Sequence, residues 1–185
     1  MGVNVACITD RDIMPDCAPK IYYKNKDYVK GSYPNNRKWH VESDYDNAEL
    51  AAYISNIKSK ASGQEIKTFL SGHWTLEYEL AFYGLKKKRM RECLIHALTR
   101  TVYDEFSEKN TRKIIDEIDK GTDIQEQATY FYRKFRSNSK AEFAQYLSVE
   151  LESEFNQGDA EDQEELKRSL PSYLVKAITY VTERT

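Results

Sequence analysis

The sequence has no long apolar run and no excess of charge of one sign. Nowhere do about 18 apolar residues follow one another, as a membrane-spanning helix requires. The 28 basic residues nearly balance the 30 acidic ones, so any contact with nucleic acid must come from local patches or bound metal. With 185 residues, the chain can bury a hydrophobic centre and suits one domain, or a compact core with an appended bundle.

Cysteine is scarce as well. The chain has three, Cys7, Cys17 and Cys93, without the paired spacing of a zinc site or a disulfide framework. We therefore predict structural or incidental thiols. The first residues, MGVNVACITD, have neither the basic region nor the long apolar run of a secretory signal. This pattern favours a cytoplasmic protein.

Short apolar runs alternate with helical periodicity in the first half of the chain, and this alternation predicts an α/β unit. The run VNVACIT ends abruptly at an aspartate, as a buried parallel strand does at a functional edge. The predicted elements are a strand at 3–9, an irregular stretch at 13–43 with a brief strand at 38–41, a helix at 47–62, a strand at 65–70 and a helix at 75–82.

The second half is predicted to be helical, with no obvious strand. Its predicted helices are 88–108, 111–120, 123–136, 138–155 and 171–183. The acidic stretch 156–168 is predicted to be an exposed loop or a solvated helical turn. The expected fold class is therefore α/β, with a partial parallel sheet and flanking helices in 1–85, followed by a C-terminal helical bundle in 86–185 that packs on this core.

Two carboxylates follow the first predicted strand directly, in the sequence Thr9-Asp10-Arg11-Asp12. In an extended segment, Asp10 and Asp12 point the same way, and the carboxyl end of a parallel sheet is where such side chains meet a ligand. Oxygen-rich clusters suit Mg²⁺ or Mn²⁺. The alternative is a solvated turn or a helix cap, where Asp-x-Asp is common.

A third acidic residue follows the second predicted strand. If the two strands are neighbours, Glu77 in the first turns of its helix can approach the same crevice as the two aspartates. The alternative is that Glu77 stabilises the positive end of its helix dipole, while Ser71 or Thr75 caps the helix.

Four segments, in order, carry a family resemblance: ACITDRD, KTFLSGHWTLEYELA, SKAEFAQYL and LPSYLVKAITYV. Together they resemble the C-terminal Toprim region of the OLD (overcoming lysogenization defect) family of ATPase-nucleases. The resemblance is closest to members found beside a helicase-like partner, as in Gabija-type phage defence. It implies a Toprim-like sheet and an endonuclease, a hydrolase that cuts DNA with two divalent cations, Mg²⁺ or Mn²⁺.

The resemblance also implies roles for individual residues. Asp10 and Asp12 match the Asp-x-Asp metal motif, and Glu77 matches the acidic residue of the Thr-Leu-Glu motif. Ser71 is expected to help a metal ligand or its water. Lys140 matches the basic residue near the scissile phosphate, where fixed positive charge lowers the barrier; Lys176 ranks second for that role.

The chain departs from the family pattern in two ways. No residue matches the glutamate that follows the first Toprim strand, and the phosphate-binding motif Gly-x-x-x-x-Gly-Lys-Ser/Thr is absent. We therefore expect a truncation or a split gene, with the ATPase domain upstream or in another chain. DNA, a helicase-like protein and further copies of this chain are the expected partners.

A second interpretation belongs to another class: a non-catalytic fragment whose helical tail serves as an assembly surface. Topoisomerase- or primase-like Toprim chemistry is disfavoured by the downstream motifs. The basic run at 86–91 is equally compatible with contacts to DNA phosphates and with a solvated helix face.

Overall fold

The computed structural model describes residues 4–23, 40–60 and 66–182. The protein has a mixed α/β fold with small parallel sheets and flanking helices. It forms two compact units, which differ from the predicted division at residue 85. The first unit comprises Met1–Leu76 and Pro171–Thr185, and the second is Glu77–Leu170. The C-terminal helix therefore belongs with the sheet rather than with the helical bundle.

The described strands are short and the described helices account for most of the chain. The strands are β1 (Val5–Thr9), β2 (Ile13–Met14), β3 (His40–Val41) and β4 (Ile66–Leu70), and a 3-10 turn spans Glu42–Asp44. The helices are α1 (Ala18–Tyr23), α2 (Asn47–Ser59), α3 (Leu76–Gly84), α4 (Lys88–Tyr103), α5 (Glu108–Ile118), α6 (Ile124–Phe135), α7 (Lys140–Gln157), α8 (Ala160–Arg168) and α9 (Ser172–Thr182). None of these described helices combines the length and apolar character needed to cross a bilayer.

The main sheet of the first unit pairs β1 with β4 in parallel, from Val5 opposite Ile66 to Thr9 opposite Leu70. The prediction of neighbouring parallel strands is therefore confirmed. Helix α2 contacts β4, and α9 contacts both strands. The expected full burial of β1 is wrong, because Val5 and Ile8 are 44% and 42% exposed. Parallel strands are buried where helices cover both faces, and the described helices leave these two side chains uncovered.

A second small sheet pairs β2 with β3, also in parallel. The brief strand expected at 38–41 is found at His40–Val41, while 38 and 39 lie outside the described residues. Part of the stretch expected to be irregular forms α1 instead. Pro19 lies in the first turn of α1, where the missing N–H of proline removes no helical hydrogen bond. Proline therefore marks the start of a helix here, not a loop.

The second unit is built around α4, which contacts α5, α6 and α7. The helix expected at 88–108 ends earlier, because Asp104 has a left-handed backbone with φ 54° that terminates α4. Ser107 then caps the next helix by accepting a hydrogen bond from the Asn110 N–H. Aspartate tolerates the left-handed region better than most residues, so this position ends α4, and residues 104–107 separate it from α5.

The acidic stretch expected to be a loop or a solvated turn contains a regular helix, α8. Asp159 caps it by accepting from the N–H groups of Glu161 and Asp162. Leu166 is buried, and Asp162 pairs with Arg89 of α4 at 2.7 Å. A capping side chain, one apolar anchor and an ion pair thus stabilise a segment that its polar composition alone does not predict to be ordered.

Candidate functional site

The carboxyl ends of β1 and β4 continue into two loops that are tied together by hydrogen bonds. The Ser71 N–H donates to the Thr9 carbonyl at 3.1 Å, and the Asp12 N–H donates to the Trp74 carbonyl at 3.1 Å. The buried Ser71 Oγ accepts from the Arg11 N–H at 2.8 Å and donates to the His73 carbonyl at 3.1 Å. These bonds fix the backbone on both sides of the two predicted aspartates. The Ser71 hydroxyl thus forms hydrogen bonds with backbone groups of both loops. Its expected role beside a metal stays a prediction.

Asp10 is the first residue after β1, and its carboxylate is oriented by the start of α3. One oxygen, Oδ1, accepts a hydrogen bond from the backbone N–H of Leu76 at 2.9 Å. The first N–H groups of a helix have no partner within the helix, and they favour negative charge. Asp10 therefore satisfies a helix donor while remaining only partly buried.

Asp12 differs from the expectation of an extended segment. Its φ of 57° lies in the left-handed region, so the strand-like alternation that was expected to aim residues 10 and 12 in one direction does not apply. Aspartate is one of the few side chains that adopt this conformation readily. The turn instead exposes Asp12 at the surface, and the two aspartates come together by a tight bend.

Both aspartates line one cleft in the first unit, with a volume of about 350 Å³. Tyr53 of α2 and Lys60, directly after this helix, contribute to the lining, and β4 contributes Thr68. The Tyr53 hydroxyl donates to the Arg11 carbonyl at 3.0 Å, which anchors the aspartate turn to α2. The structure thus brings two of the predicted ligands into one space open to solvent.

The oxygen atoms around this cleft are compatible with a hard divalent cation. Among the described residues, no group of three or more His, Cys, Asp and Glu side chains is arranged to hold a metal ion. Mg²⁺ commonly takes only one or two protein carboxylates and completes its shell with water and substrate phosphate. Within the described residues, the buried Thr68 Oγ1 has no hydrogen-bond partner, and it adds an oxygen to the cleft. The donor set therefore fits such an ion.

A charged cluster underlies the aspartate turn. The buried guanidinium of Arg11 donates to Glu42 Oε1 at 2.8 Å, and His73 Nδ1 lies 3.1 Å from the same oxygen. Burial raises the pKa of Glu42, but the hydrogen bond and charge of His73, with those of Arg11, hold that pKa below its ordinary value. This cluster joins the turn, the 3-10 segment and the loop after β4. It leaves Glu42 ionised at neutral pH.

The other two predicted residues lie together in the second unit. Lys140 Nζ and Glu77 Oε1 form an ion pair of 2.8 Å, in which the glutamate side chain is 12% exposed and the lysine 64% exposed. Glu77 lies in the first turn of α3, and Lys140 is the first residue of α7. The second oxygen, Glu77 Oε2, is buried and has no hydrogen-bond partner within the described part of the chain.

The basic run at 86–91 is largely engaged within the second unit. Arg89 pairs with Glu154 and Asp162, and Arg91 pairs with Asp119. Lys86 Nζ lies 4.0 Å from the centroid of the Phe82 ring. Contacts to DNA phosphates from the two arginines would have to replace these ion pairs, which favours the interpretation of a structural helix face.

Sequence reasoning did not single out four residues of the first unit: Glu42, Tyr53, Lys60 and Thr68. None carries a local motif, and each reaches the site through tertiary packing of α2, β4 or the 3-10 segment. Arg11, which lies between the two aspartates in the sequence, is the local signal that could have led to one of these four residues. A buried arginine requires a carboxylate partner, and this requirement leads to Glu42.

Comparison with known proteins gives no match: no protein-family model, no curated protein and no solved structure is similar to this chain. The relation to the OLD family therefore stays a prediction carried by its motifs. The geometry described above is what supports a function.

Proposed function

We propose that this chain is a metal-dependent DNA endonuclease module, the Toprim-like part of an OLD-type ATP-dependent nuclease that acts in phage defence or DNA processing. The observation that carries the proposal is that Asp10 and Asp12 line one solvent-open cleft directly after a parallel β-strand. Ligands of parallel sheets bind at this end of the strands. Carboxylate oxygens in such a place are the usual ligands of Mg²⁺ and Mn²⁺.

Asp10 and Asp12 would hold the divalent cations. When bound, such ions activate a water molecule and neutralise charge on the leaving oxygen of a phosphodiester. The protein's own contribution is to keep the two carboxylates in place. The Leu76 N–H orients Asp10. Ser71 and Tyr53 form hydrogen bonds with the backbone of Arg11, which lies between the two aspartates, and the Arg11 side chain pairs with Glu42. Positioning of this kind is what converts binding into a lowered barrier.

Glu77 and Lys140 remain in the proposal because of the motif resemblance and their own geometry. Glu77 keeps one buried oxygen without a hydrogen-bond partner among the described residues, which suits a ligand role. The Lys140 side chain is mostly exposed, so a phosphate oxygen can reach its ammonium group from solvent. Its charge would stabilise the negative oxygens of the reacting phosphate.

The proposal is tested by nicking of supercoiled plasmid and, separately, by Mn²⁺ binding measured with electron paramagnetic resonance. We expect the double variant Asp10→Asn with Asp12→Asn to lose Mn²⁺ binding and to lower nicking by a factor on the order of 100, about 3 kcal/mol of barrier. Asp116→Asn is the matched control, because its carboxylate is exposed in the second unit and pairs with Arg112. Equal nicking by the double variant and this control would end the proposal.

Lys140→Met separates the two kinds of role. Since the lysine acts on phosphate and not on the cation, we expect it to lower nicking and leave Mn²⁺ binding unchanged, whereas Glu77→Gln should weaken both. If Glu77→Gln changes neither, the glutamate is no ligand and serves only its helix and its ion pair.

A non-catalytic assembly module is the second candidate, and one observation favours it. Val175, Ile178 and Val181 are exposed on α9 at three-residue spacing, which places them on one face of the helix. Exposed apolar stripes of this kind often mark protein contacts. Sedimentation velocity tests this function. Self-association that does not need Mn²⁺ and that Ile178→Lys abolishes would establish it, provided that the unaltered protein does not nick DNA.

A further inference from the structure

A second groove of the first unit lies along β4 and has a volume of about 490 Å³. Four consecutive residues, 67–70, form its strand side, which extends over about 10 Å at the rise of a β-strand. Helix α2 contributes Lys58, and α9 contributes Tyr173, Lys176 and Tyr180. The lining of the groove therefore comes from three elements, β4, α2 and α9.

The charge of this groove is of one sign. Lys58, Lys67 and Lys176 all line it and are all exposed, whereas the lining contains no aspartate or glutamate among the described residues. The whole chain has a formal net charge of −2, so the positive character is local. A cluster of three lysines with no carboxylate in the same lining attracts a polyanion such as a phosphate backbone.

Aromatic rings lie among these lysines. The Lys67 ammonium is 5.5 Å from the centroid of Phe69 and 5.1 Å from that of Tyr180, and this cation–π arrangement fixes its charge in the groove. Tyr173 lines the groove on the side of α9. Basic residues interleaved with aromatic faces are typical of sites for single-stranded nucleic acid, where phosphates meet the charges and bases stack on the rings.

We infer that this basic aromatic groove binds single-stranded nucleic acid. Lys67 and Phe69 contact Tyr180 of α9 in the groove, whereas Thr68, between them in the strand, pairs with Cys7 and lines the carboxylate cleft. Binding in the groove therefore does not rest on the proposed nuclease function. The ligand class is a single strand, because stacking requires bases that are not paired.

Binding is measured by fluorescence anisotropy of a labelled oligothymidylate, with the full chain and with chelator in place of divalent cations. The triple variant Lys58→Gln, Lys67→Gln, Lys176→Gln removes three phosphate contacts. We expect weaker binding by at least about tenfold and a salt dependence of log Kd that is smaller by about 2, since each contact to a single strand contributes roughly 0.7. The matched control Lys109→Gln, Lys113→Gln, Lys167→Gln changes the net charge equally on exposed lysines of the second unit. Equal losses in both triples would overturn the inference.

Stacking has its own test at Tyr173. We expect Tyr173→Leu to weaken binding by roughly tenfold with an unchanged salt dependence, and Tyr173→Phe to bind like the unaltered protein, because the ring and not the hydroxyl meets a base. Thermal unfolding shows whether the leucine variant is folded; if it is not, the lysine triple alone decides. Two results together would assign the groove to an acidic peptide and overturn the inference. Polyglutamate of equal charge would displace the oligonucleotide, and Tyr173→Leu would leave binding unchanged.

The experiment also separates this inference from the proposed nuclease. Asp10→Asn with Asp12→Asn is expected to bind the oligonucleotide as well as the unaltered protein, since neither side chain lines the groove. Loss of nicking with retained binding supports both ideas. Oligonucleotide binding by a protein that never nicks DNA would leave the groove in place and remove only the nuclease.

Discussion

The two units of this protein are stabilised in different ways. Among the described residues, most of the largest fully buried side chains belong to the second unit, for example Tyr78, Leu94 and Phe135, whereas the first unit contributes Ile13 and Val41. The first unit buries Arg11 and Ser71 beside the aspartate turn, each held by hydrogen bonds. The second unit therefore has the larger apolar core among the described residues, while a hydrogen-bonded polar cluster orders the aspartate turn of the first.

This difference bears on where the two candidate binding surfaces lie. Binding residues are usually placed on loops that a scaffold holds in position, and regions with few buried apolar side chains open more easily than a hydrophobic core. The cleft and the basic aromatic groove both belong to the first unit.

Thiol reactivity should differ most between the units. Cys7 is exposed in the cleft of the first unit, whereas Cys93 is buried in α4. Burial, with the charges of Glu154 and Glu150, raises the pKa of Cys93 from 9.0 to about 12. Its reactive thiolate fraction is then about a thousandfold smaller, and access is blocked as well. We expect Ellman's reagent followed by mass spectrometry to modify Cys7 in the folded protein and Cys93 only in denaturant; rapid native modification of Cys93 would contradict a tightly packed second unit.

Truncating the hydrophobic core should cause the largest loss of stability. Phe135 is fully buried, and its ring centroid lies 4.9 Å from that of Phe143. We expect Phe135→Ala to lower the free energy of unfolding by about 3–5 kcal/mol, because it removes buried area and leaves a cavity. Urea unfolding followed by far-UV circular dichroism measures this loss. Phe106→Ala is the control, since this ring is 45% exposed; a similar loss from both variants would show that burial does not set the scale.

The polar network of the first unit should show itself through pH. The pKa of Glu42 lies below its ordinary value of 4.5 in the folded protein, so its contribution to stability is present above pH 4.5 and is lost as the pH falls through the folded-state pKa. We expect Glu42→Gln to cost about 1–3 kcal/mol at neutral pH and to flatten the acid side of the stability profile. Urea unfolding followed by tryptophan fluorescence reports on the first unit, because Trp74 belongs to it and the second unit, Glu77–Leu170, contains no tryptophan.

The control for this prediction is Asp116→Asn, whose carboxylate pairs with Arg112 at the surface of the second unit. Exposed pairs of this kind contribute about 0.5 kcal/mol or less. If the stability of Glu42→Gln and that of the unaltered protein fall identically as the pH is lowered, the Arg11–Glu42–His73 cluster does not order the first unit.

Much of the secondary structure could be predicted from local patterns. The runs VNVACIT and EIKTFL gave the two main strands, and apolar periodicity located most of the helices to within a few residues. The errors came where a single residue overrides a pattern. Asp104 ends α4 before its predicted boundary by a left-handed turn, Pro19 lies in the first turn of α1, and the capping of α8 by Asp159 orders an acidic segment. The division into two units depends on where α9 packs, which no local pattern contains.

The candidate site was only partly predictable. Asp10 and Asp12 were recognised because two carboxylates follow an apolar strand, and they do line one cleft, although by a tight turn and not by extended backbone. The ion pair of Glu77 with Lys140 was not anticipated. Glu42, Tyr53 and Thr68 have no local signal, since they reach the turn from other elements.

The sequence by itself determined the chemical groups and the local elements, because hydrophobic periodicity, caps and turn preferences act over a few neighbouring residues. Tertiary structure alone decided which groups meet: the pairing of Arg11 with Glu42 and the basic lining along β4 come from segments far apart in the chain. Contacts of this kind depend on how elements bury their surfaces against one another, and that balance involves the whole fold and not any one segment.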